Sequence, residues 1–335
     1  MAPDRQRRRH LQVTATIARL LPAFGLVFLS ACDLPFGLGL PATRALENGA
    51  AASLAGSFAL SGAYQDSQGT ARIELQVAPP DREHIATSQV EALVAGGRIY
   101  FRGRDFLARH MGTDVQSQAL LAAAGNSWWV GVSGAQPPRL PDFTSPEAFR
   151  STFLGSALTR RDDHAAVDGR PAVELWGPRA GVFVSAQQPY RLLRVVEGAQ
   201  AVVDGLPGAD FRYSEFGRDF GIAPPKDVID FTNLSTQPPI YTVVSVDVSE
   251  CAQPCVVAAV VRNLGGLHAA RAPSTVRFTM ADASSGRPLA GCTTSVAPDV
   301  GYNATTRVSC PIYGIGPEQA NAAIVTATTD NPGRG

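Results

Sequence analysis

The stretch VEALVAGGRIYFR, residues 90–102, carries the clearest structural signal in the chain. Apolar and polar side chains alternate on both sides of Gly96-Gly97, and a Gly-Gly pair readily adopts the positive φ angles of a two-residue hairpin turn. The stretch therefore predicts two antiparallel strands joined by a tight turn. An upstream hairpin is predicted as well, because alternating runs over 57–64 and 71–77 flank a turn at 66–69.

Helical periodicity interrupts the strands at three places. It predicts a short helix from Ala42 to Ala55, a helical region from Asp105 to Gly125, and a helix that begins at Ser145-Pro146, where serine caps the first turn and proline occupies the first helical position. Strand-like runs continue over residues 127–132, 164–167, 171–176, 181–185, 190–196, 199–203 and 210–216. This order predicts an α+β domain in which helices cover one apolar face of an antiparallel meander.

Proline pairs mark a boundary near residue 232. Pro224-Pro225 and Pro238-Pro239 bracket it, so we expect a first domain over 43–232, a linker over 233–240 and a second domain over 241–335. The last segment is rich in valine and threonine, with its clearest strands at 241–248, 255–262, 274–280, 308–311 and 322–328. That pattern favours an all-β sandwich of seven strands.

The first 31 residues are typical of a secretory signal. Arginines at positions 5, 7, 8 and 9 precede an apolar run from Leu20 to Leu29, which ends in Leu29-Ser30-Ala31-Cys32. This ending resembles the lipobox of bacterial lipoproteins, which implies that Cys32 receives a diacylglyceryl group and that residues 32–42 tether an exported body to the cell envelope, on the extracytoplasmic face of the membrane. The alternative is a plain signal peptide, or a membrane-spanning anchor, with an incidental cysteine.

Charge excludes one class of partner. The chain has 29 basic and 29 acidic residues, and five of the basic residues fall in the leader. The remainder is mildly acidic and has no basic stripe that would follow a phosphate backbone, so nucleic acid is not an expected partner.

Cysteine placement agrees with export. Apart from Cys32, four cysteines lie in the last 85 residues: Cys251, Cys255, Cys292 and Cys310. An even set in one region of an exported chain predicts disulfides, whereas the spacings match no common zinc ribbon. Three pairings exist. We favour Cys251 with Cys255, which closes a local loop, and Cys292 with Cys310, which ties neighbouring strands.

Several short motifs resemble one lipoprotein family. They are residues 94–103, 128–130, 167–172, 189–193 and 222–225, and together they resemble the LppX/LprG family of the LolA-like lipoprotein-carrier superfamily over residues 43–232. The resemblance implies a curved antiparallel half-barrel wrapped over helices, with an apolar hollow for acyl chains. In the second domain, residues 260–266 and 327–332 resemble CARDB-type immunoglobulin-like modules.

The helical regions supply candidates for such a hollow. The ligand-cavity candidates are apolar residues at helical spacing: Phe106, Leu107, Met111, Leu120, Phe149 and Phe153. The alternative is that all six belong to an ordinary packed core.

Catalytic and metal-binding motifs are not evident. The histidines outside the leader are dispersed, Asp162-Asp163-His164 is the only acidic and histidine cluster, and no Gly-x-Ser-x-Gly elbow occurs. We therefore predict a protein without catalytic residues, a metal or a cofactor.

The main functional hypothesis is a lipoprotein that binds or carries a lipid or another amphiphile. Its predicted partners are an acyl-chain ligand and, through Cys32, the membrane. The alternatives are an adhesion or scaffold lipoprotein that contacts a protein partner through its C-terminal domain, and an envelope sensor.

Overall fold

The structure, a computed structural model, describes residues 40–154 and 158–333. The predicted signal peptide, Cys32 and nearly all of the predicted tether lie outside the described residues. From Pro41 onward the chain forms one compact unit. Within the described residues, no helix is both long enough and apolar enough to span a membrane.

A large open sheet dominates residues 58–230. Its strands run in the order β14-β6-β5-β4-β3-β2-β1-β13-β10-β9-β8-β7, and β14 alone pairs in parallel, with β6. The bounds of its members are β1 Phe58–Asp66, β2 Gly69–Ala78, β3 Arg82–Thr87, β4 Glu91–Ala95, β5 Arg98–Arg102, β6 Trp128–Val130, β7 Arg160–Val167, β8 Arg170–Trp176, β9 Ala180–Ser185, β10 Leu192–Glu197, β13 Asp210–Ser214 and β14 Val228–Asp230. Between β10 and β13, β11 Val202–Val203 and β12 Leu206–Pro207 form a small separate hairpin.

Short helices accompany the sheet. They are α1 Thr43–Ser53, α2 Arg104–His110, α3 Val115–Ala124, α4 Pro141–Thr144 and α5 Pro146–Phe149, which continues as a π-helical turn over Arg150–Leu154. The predicted region 105–125 thus splits into two helices, and Asp114 caps the second by accepting hydrogen bonds from the backbone nitrogens of Gln116 and Ser117. Ser145 caps α5 as predicted.

One hydrophobic core fills the space between the sheet and these helices. The apolar residues of β1 and β2 contribute Phe58, Leu60, Ile73 and Leu75 to it. Because side chains alternate along each strand, the same strands expose polar residues on the opposite face, which the burial pattern of β2 shows.

The C-terminal part of the chain has its own hydrophobic core. Six strands form two three-stranded sheets, β15-β16-β19 and β18-β17-β20, and both sheets contribute to this core. Their bounds are β15 Tyr241–Asp247, β16 Cys255–Asn263, β17 Thr275–Asp282, β18 Pro288–Ser295, β19 Thr305–Ile312 and β20 Ala323–Asp330; α6 spans Pro317–Asn321. The prediction of seven strands was wrong, since the described residues hold six here, and β18 was missed.

Covalent and hydrogen bonds join the two small sheets at both sides. A disulfide pairs Cys292 on β18 with Cys310 on β19, which are edge strands of different sheets, and a second disulfide pairs Cys251 with Cys255. At the other side, the carbonyl oxygen of Tyr241 accepts hydrogen bonds from Thr329 Oγ1 at 2.8 Å and Asn331 Nδ2 at 3.0 Å. Both favoured cysteine pairings are present.

The predicted linker is partly packed. Residues 237–240 are buried, and the Gln237 carbonyl oxygen accepts a hydrogen bond from Gly266 N at 2.9 Å. The α+β class is confirmed, with strands predominating. The half-barrel and immunoglobulin-like assignments remain predictions.

Candidate functional site

A groove of about 780 Å³ opens between the ends of strands β2–β5 and the segment around α4. This volume is in the range of small-molecule sites. Its apolar lining consists of Leu54, Ala55, Val77, Val94, Ile99, Leu140 and prolines 79, 80, 137, 141 and 146, and its polar lining consists of Asp81, Arg82, Glu83, Arg139, Thr144 and Ser145.

The floor of the groove is a row of side chains across four neighbouring strands. The antiparallel register places Val77 of β2 opposite Glu83 of β3, Glu83 opposite Val94 of β4, and Val94 opposite Ile99 of β5. Directly opposed residues project to the same face of a sheet. The row is therefore apolar except for one carboxylate.

Helix α1 is bound by hydrogen bonds from two arginines, at its N-terminal end and at its middle. Arg161 donates hydrogen bonds to Thr43 Oγ1 at 2.8 Å and to the Pro41 carbonyl oxygen at 2.9 Å, and Arg150 donates to Asn48 Oδ1 at 2.8 Å. The C-terminal end of the helix delivers Leu54 to the groove. One side wall is thus anchored to β7 and to the π-helical turn.

The opposite wall, α4, is anchored by three polar side chains. Asp204 accepts a hydrogen bond from Asp142 N at 2.9 Å, Thr152 Oγ1 donates to Asp142 Oδ1 at 2.9 Å, and the Tyr213 hydroxyl donates to the Phe143 carbonyl oxygen at 3.0 Å. Phe143 itself is fully buried. These bonds hold Pro141 and Thr144 over the floor.

Electrostatics single out Glu83. Its half-buried carboxylate forms no hydrogen bond or ion pair within the described part of the chain. Burial raises the pKa of the Glu83 carboxyl above its ordinary value, and the positive charge of Arg139 opposes part of that rise. The alternation of Glu83 with the buried Ile85 in β3 is the sequence signal that could have identified this residue.

The six cavity candidates lie elsewhere. Phe106 stacks on Phe101 with ring centroids 5.5 Å apart, and Phe153 packs 5.0 Å from Phe149 and 5.2 Å from Phe143. Leu107 is fully buried, whereas Met111 and Leu120 are half-buried. None of the six lines the groove. Phe106, Phe149 and Phe153 have aromatic neighbours, and the groove residues are a second candidate site beside the six predicted residues.

A second cavity lies between the two hydrophobic cores but is much smaller. Its volume is about 50 Å³, and Ser127, Asp227 and Gln237 contribute polar lining. Gln237 is 1% exposed, and its Oε1 has no hydrogen-bond partner among the described residues. The space suits water molecules rather than an acyl chain.

The four histidines that the structure describes are not assembled into a site. His84 Nε2 lies 2.8 Å from Glu91 Oε1, and His110 Nδ1 lies 2.9 Å from the Phe106 carbonyl oxygen. Asp162-Asp163-His164 lies inside β7. Within residues 40–154 and 158–333, no group of three or more histidine, cysteine or acidic residues is arranged to hold a metal ion.

Comparison with known proteins yields distant structural neighbours. No family model and no curated protein matches the chain. The crystal structure of MucB in complex with MucA(peri) is 14% identical, covers 84% of this chain and 96% of that chain, and superposes with a TM-score of 0.28. The complex structure of Pseudomonas aeruginosa MucA/MucB has the same identity and TM-score, with coverage of 84% and 97%. Superpositions this loose establish neither a shared fold nor a shared function.

Proposed function

We propose that the protein is an exported, non-catalytic lipoprotein that binds a lipid or another amphiphile in the groove beside α4. The observation that carries the proposal is the groove of about 780 Å³, with its apolar floor of Val77, Val94 and Ile99 and its charged mouth. An acyl chain laid on this floor leaves water, which favours binding by about 0.8 kcal/mol per buried CH₂ group. The charged residues at the mouth are placed to contact a polar head group.

Membrane attachment through Cys32 belongs to the same proposal. Lipidation of Cys32 tethers the exported protein to the membrane. A Cys32→Ala variant should appear in the soluble fraction after export. If that variant stays in the membrane, lipidation at Cys32 is wrong, whereas the groove proposal is unaffected.

Displacement of a fluorescent fatty-acyl probe tests groove binding. The protein should bind one probe saturably, and Val94→Arg should weaken binding at least tenfold because it puts a charge on the apolar floor. Val244→Arg is the matched control, since this valine is exposed on β15, far along the chain from the groove. Equal probe binding by both variants would contradict the proposal.

A second candidate function is protein binding through the C-terminal sheets. Leu267 and Tyr302 are 61% and 55% exposed, and both line an open depression of about 350 Å³ together with His268. Exposed apolar side chains of this kind are typical of interaction surfaces. A double change to Leu267→Ser and Tyr302→Ser should abolish adhesion or partner binding while probe binding stays intact; the opposite result would remove this candidate.

A further inference from the structure

The Glu83 side chain is part of the floor of the groove. In β3, Glu83 and the buried Ile85 alternate with Arg82 and His84, and His84 bonds to Glu91 on the other face of the sheet. The register sets Glu83 between Val77 and Val94, both of which line the groove. A carboxylate therefore stands in the middle of an otherwise apolar row.

Three other poorly exposed carboxylates among the described residues have partners. Glu197 accepts hydrogen bonds from the backbone nitrogens of Val203 and Ala209, at 3.1 and 3.0 Å, and Glu174 lies 3.1 Å from an Arg160 nitrogen. Glu91 is bonded to His84 and Arg102. Glu83 has no such partner within residues 40–154 and 158–333. Because burying an unpaired charge is costly, a ligand with a cationic donor would gain binding energy here.

Arg139 supplies the opposite charge at the mouth. It is exposed, its polar contact is a long one of 3.5 Å to Gln136 Oε1, and its charge acts on the Glu83 carboxyl without forming an ion pair with it. Asp81 and Arg82 also line the groove. The groove thus offers an anionic point on its floor and a separate cationic point at its rim.

We propose that the groove selects a zwitterionic amphiphile, with the ligand ammonium group on Glu83, its phosphate on Arg139 and its chain on the apolar floor. This inference rests on the proposed function and goes further by naming the head-group chemistry. Charge complementarity with both residues favours a zwitterion over an anionic lipid, whose head group would meet the unpaired Glu83 carboxylate.

Three lauroyl probes with different head groups test the inference. The full chain is immobilised through a tag, and each probe is applied below its critical micelle concentration: lysophosphatidylethanolamine, lysophosphatidylglycerol and monolaurin. We expect the zwitterionic probe to bind about tenfold more tightly than the anionic probe, which is the effect of one charge-assisted contact. Glu83→Gln should remove that preference and leave monolaurin binding unchanged. Arg139→Gln should weaken both phospholipid probes.

Glu74→Gln is the matched control, because Glu74 is an exposed carboxylate on the opposite face of the adjacent strand β2. It should leave all three affinities unchanged.

If Glu83→Gln and the unaltered protein show the same order of preference, the inference is overturned while amphiphile binding stands. If no probe binds, the proposed function itself fails, and a peptide becomes the occupant to test in this proline-lined groove. Circular dichroism of each variant confirms that it is folded. If Glu83→Gln does not fold, binding of the three probes to Arg139→Gln decides the question. Loss of monolaurin binding by Arg139→Gln, in addition to weaker binding of the phospholipid probes, would contradict a head-group role.

Discussion

Asp204, in the turn between β11 and β12, accepts a hydrogen bond from the backbone nitrogen of Asp142 at 2.9 Å. This bond joins a distant turn to the helix that forms one wall of the groove. Burial is the main cause that raises the pKa of Asp204 to about 6, and the nearby negative charge of Asp142 contributes. The folded protein therefore holds a proton on Asp204 more strongly than the unfolded chain does.

This arrangement predicts a pH dependence of stability. The stabilisation linked to Asp204 is fully present below the ordinary pKa of an aspartate and is lost as the pH rises through about 6. When the pH is lowered from about 7.5 to about 5, the free energy of unfolding of the unaltered protein should rise by on the order of 1 kcal/mol more than that of Asp204→Asn. This figure is reduced for the partial solvent exposure of Asp204. Urea denaturation of both proteins at the two pH values measures the difference. Identical changes in both would show that Asp204 does not contribute.

Glu83 predicts an effect of substitution on stability that is opposite to its effect on binding. Its raised pKa means that burial disfavours the ionised form of the carboxyl in the ligand-free protein. Glu83→Gln should therefore raise the thermal unfolding midpoint by about one or two degrees, corresponding to a few tenths of a kcal/mol. Differential scanning calorimetry at neutral pH measures the shift. A lower midpoint would indicate that Glu83 has a stabilising partner instead.

Asn263 predicts a large loss of stability in the C-terminal sheets. Its Oδ1 accepts hydrogen bonds from Ile240 N and Gly265 N, both at 2.9 Å, and its Nδ2 donates to the carbonyl oxygens of Gly266 and Val300. Because Asn263 is fully buried, Asn263→Ala leaves these backbone groups without partners and should cost about 3 kcal/mol. The exposed Asn321→Ala is the control and should change stability by less than about 0.5 kcal/mol. Equal effects in a denaturant titration would contradict this role.

The two disulfides predict unequal losses on removal. Cys292 and Cys310 are 18 residues apart and join edge strands of different sheets, whereas Cys251 and Cys255 are four residues apart. Since cross-links over longer loops restrict the unfolded chain more, replacing the first pair by alanine should cost about 3 kcal/mol and the second pair about 2 kcal/mol. Denaturation of the two double variants ranks them. A larger loss for the short loop would mean that chain entropy does not govern these bridges.

Local signals made the hairpins predictable. Gly96 and Gly97 have φ angles of +59° and +71°. The turn between β4 and β5 therefore uses the positive φ angles on which the prediction of a hairpin turn rests. Trp128 and Trp129, successive residues of β6, differ in burial as side chains on opposite faces of a strand do. Trp129 is 1% exposed, and the Arg102 guanidinium lies over the Trp128 ring, 4.9 Å from the ring centroid. Short-range geometry determines both features.

Long-range features were beyond the reach of these signals. The pairing of β1 with β13 joins Ala59 to Ser214, and nothing in either segment encodes the partner. Strand β18 was missed because Pro288, Gly291 and Cys292 give it weak strand propensity, although its register with β17 is complete from Thr275 to Met280. Side-chain packing illustrates the same limit, since Phe106 is recognisable in the sequence as an apolar residue, whereas its stacking on Phe101 is not.

Native mass spectrometry of the intact exported protein, freed of detergent in the gas phase, tests the central claim most directly. The account predicts one discrete added mass of lipid size beyond any covalent modification, lost on organic extraction and strongly reduced in Val94→Arg but not in Val244→Arg. A protein that carries no added mass, even after incubation with an envelope lipid extract, would contradict the claim that the groove binds an amphiphile.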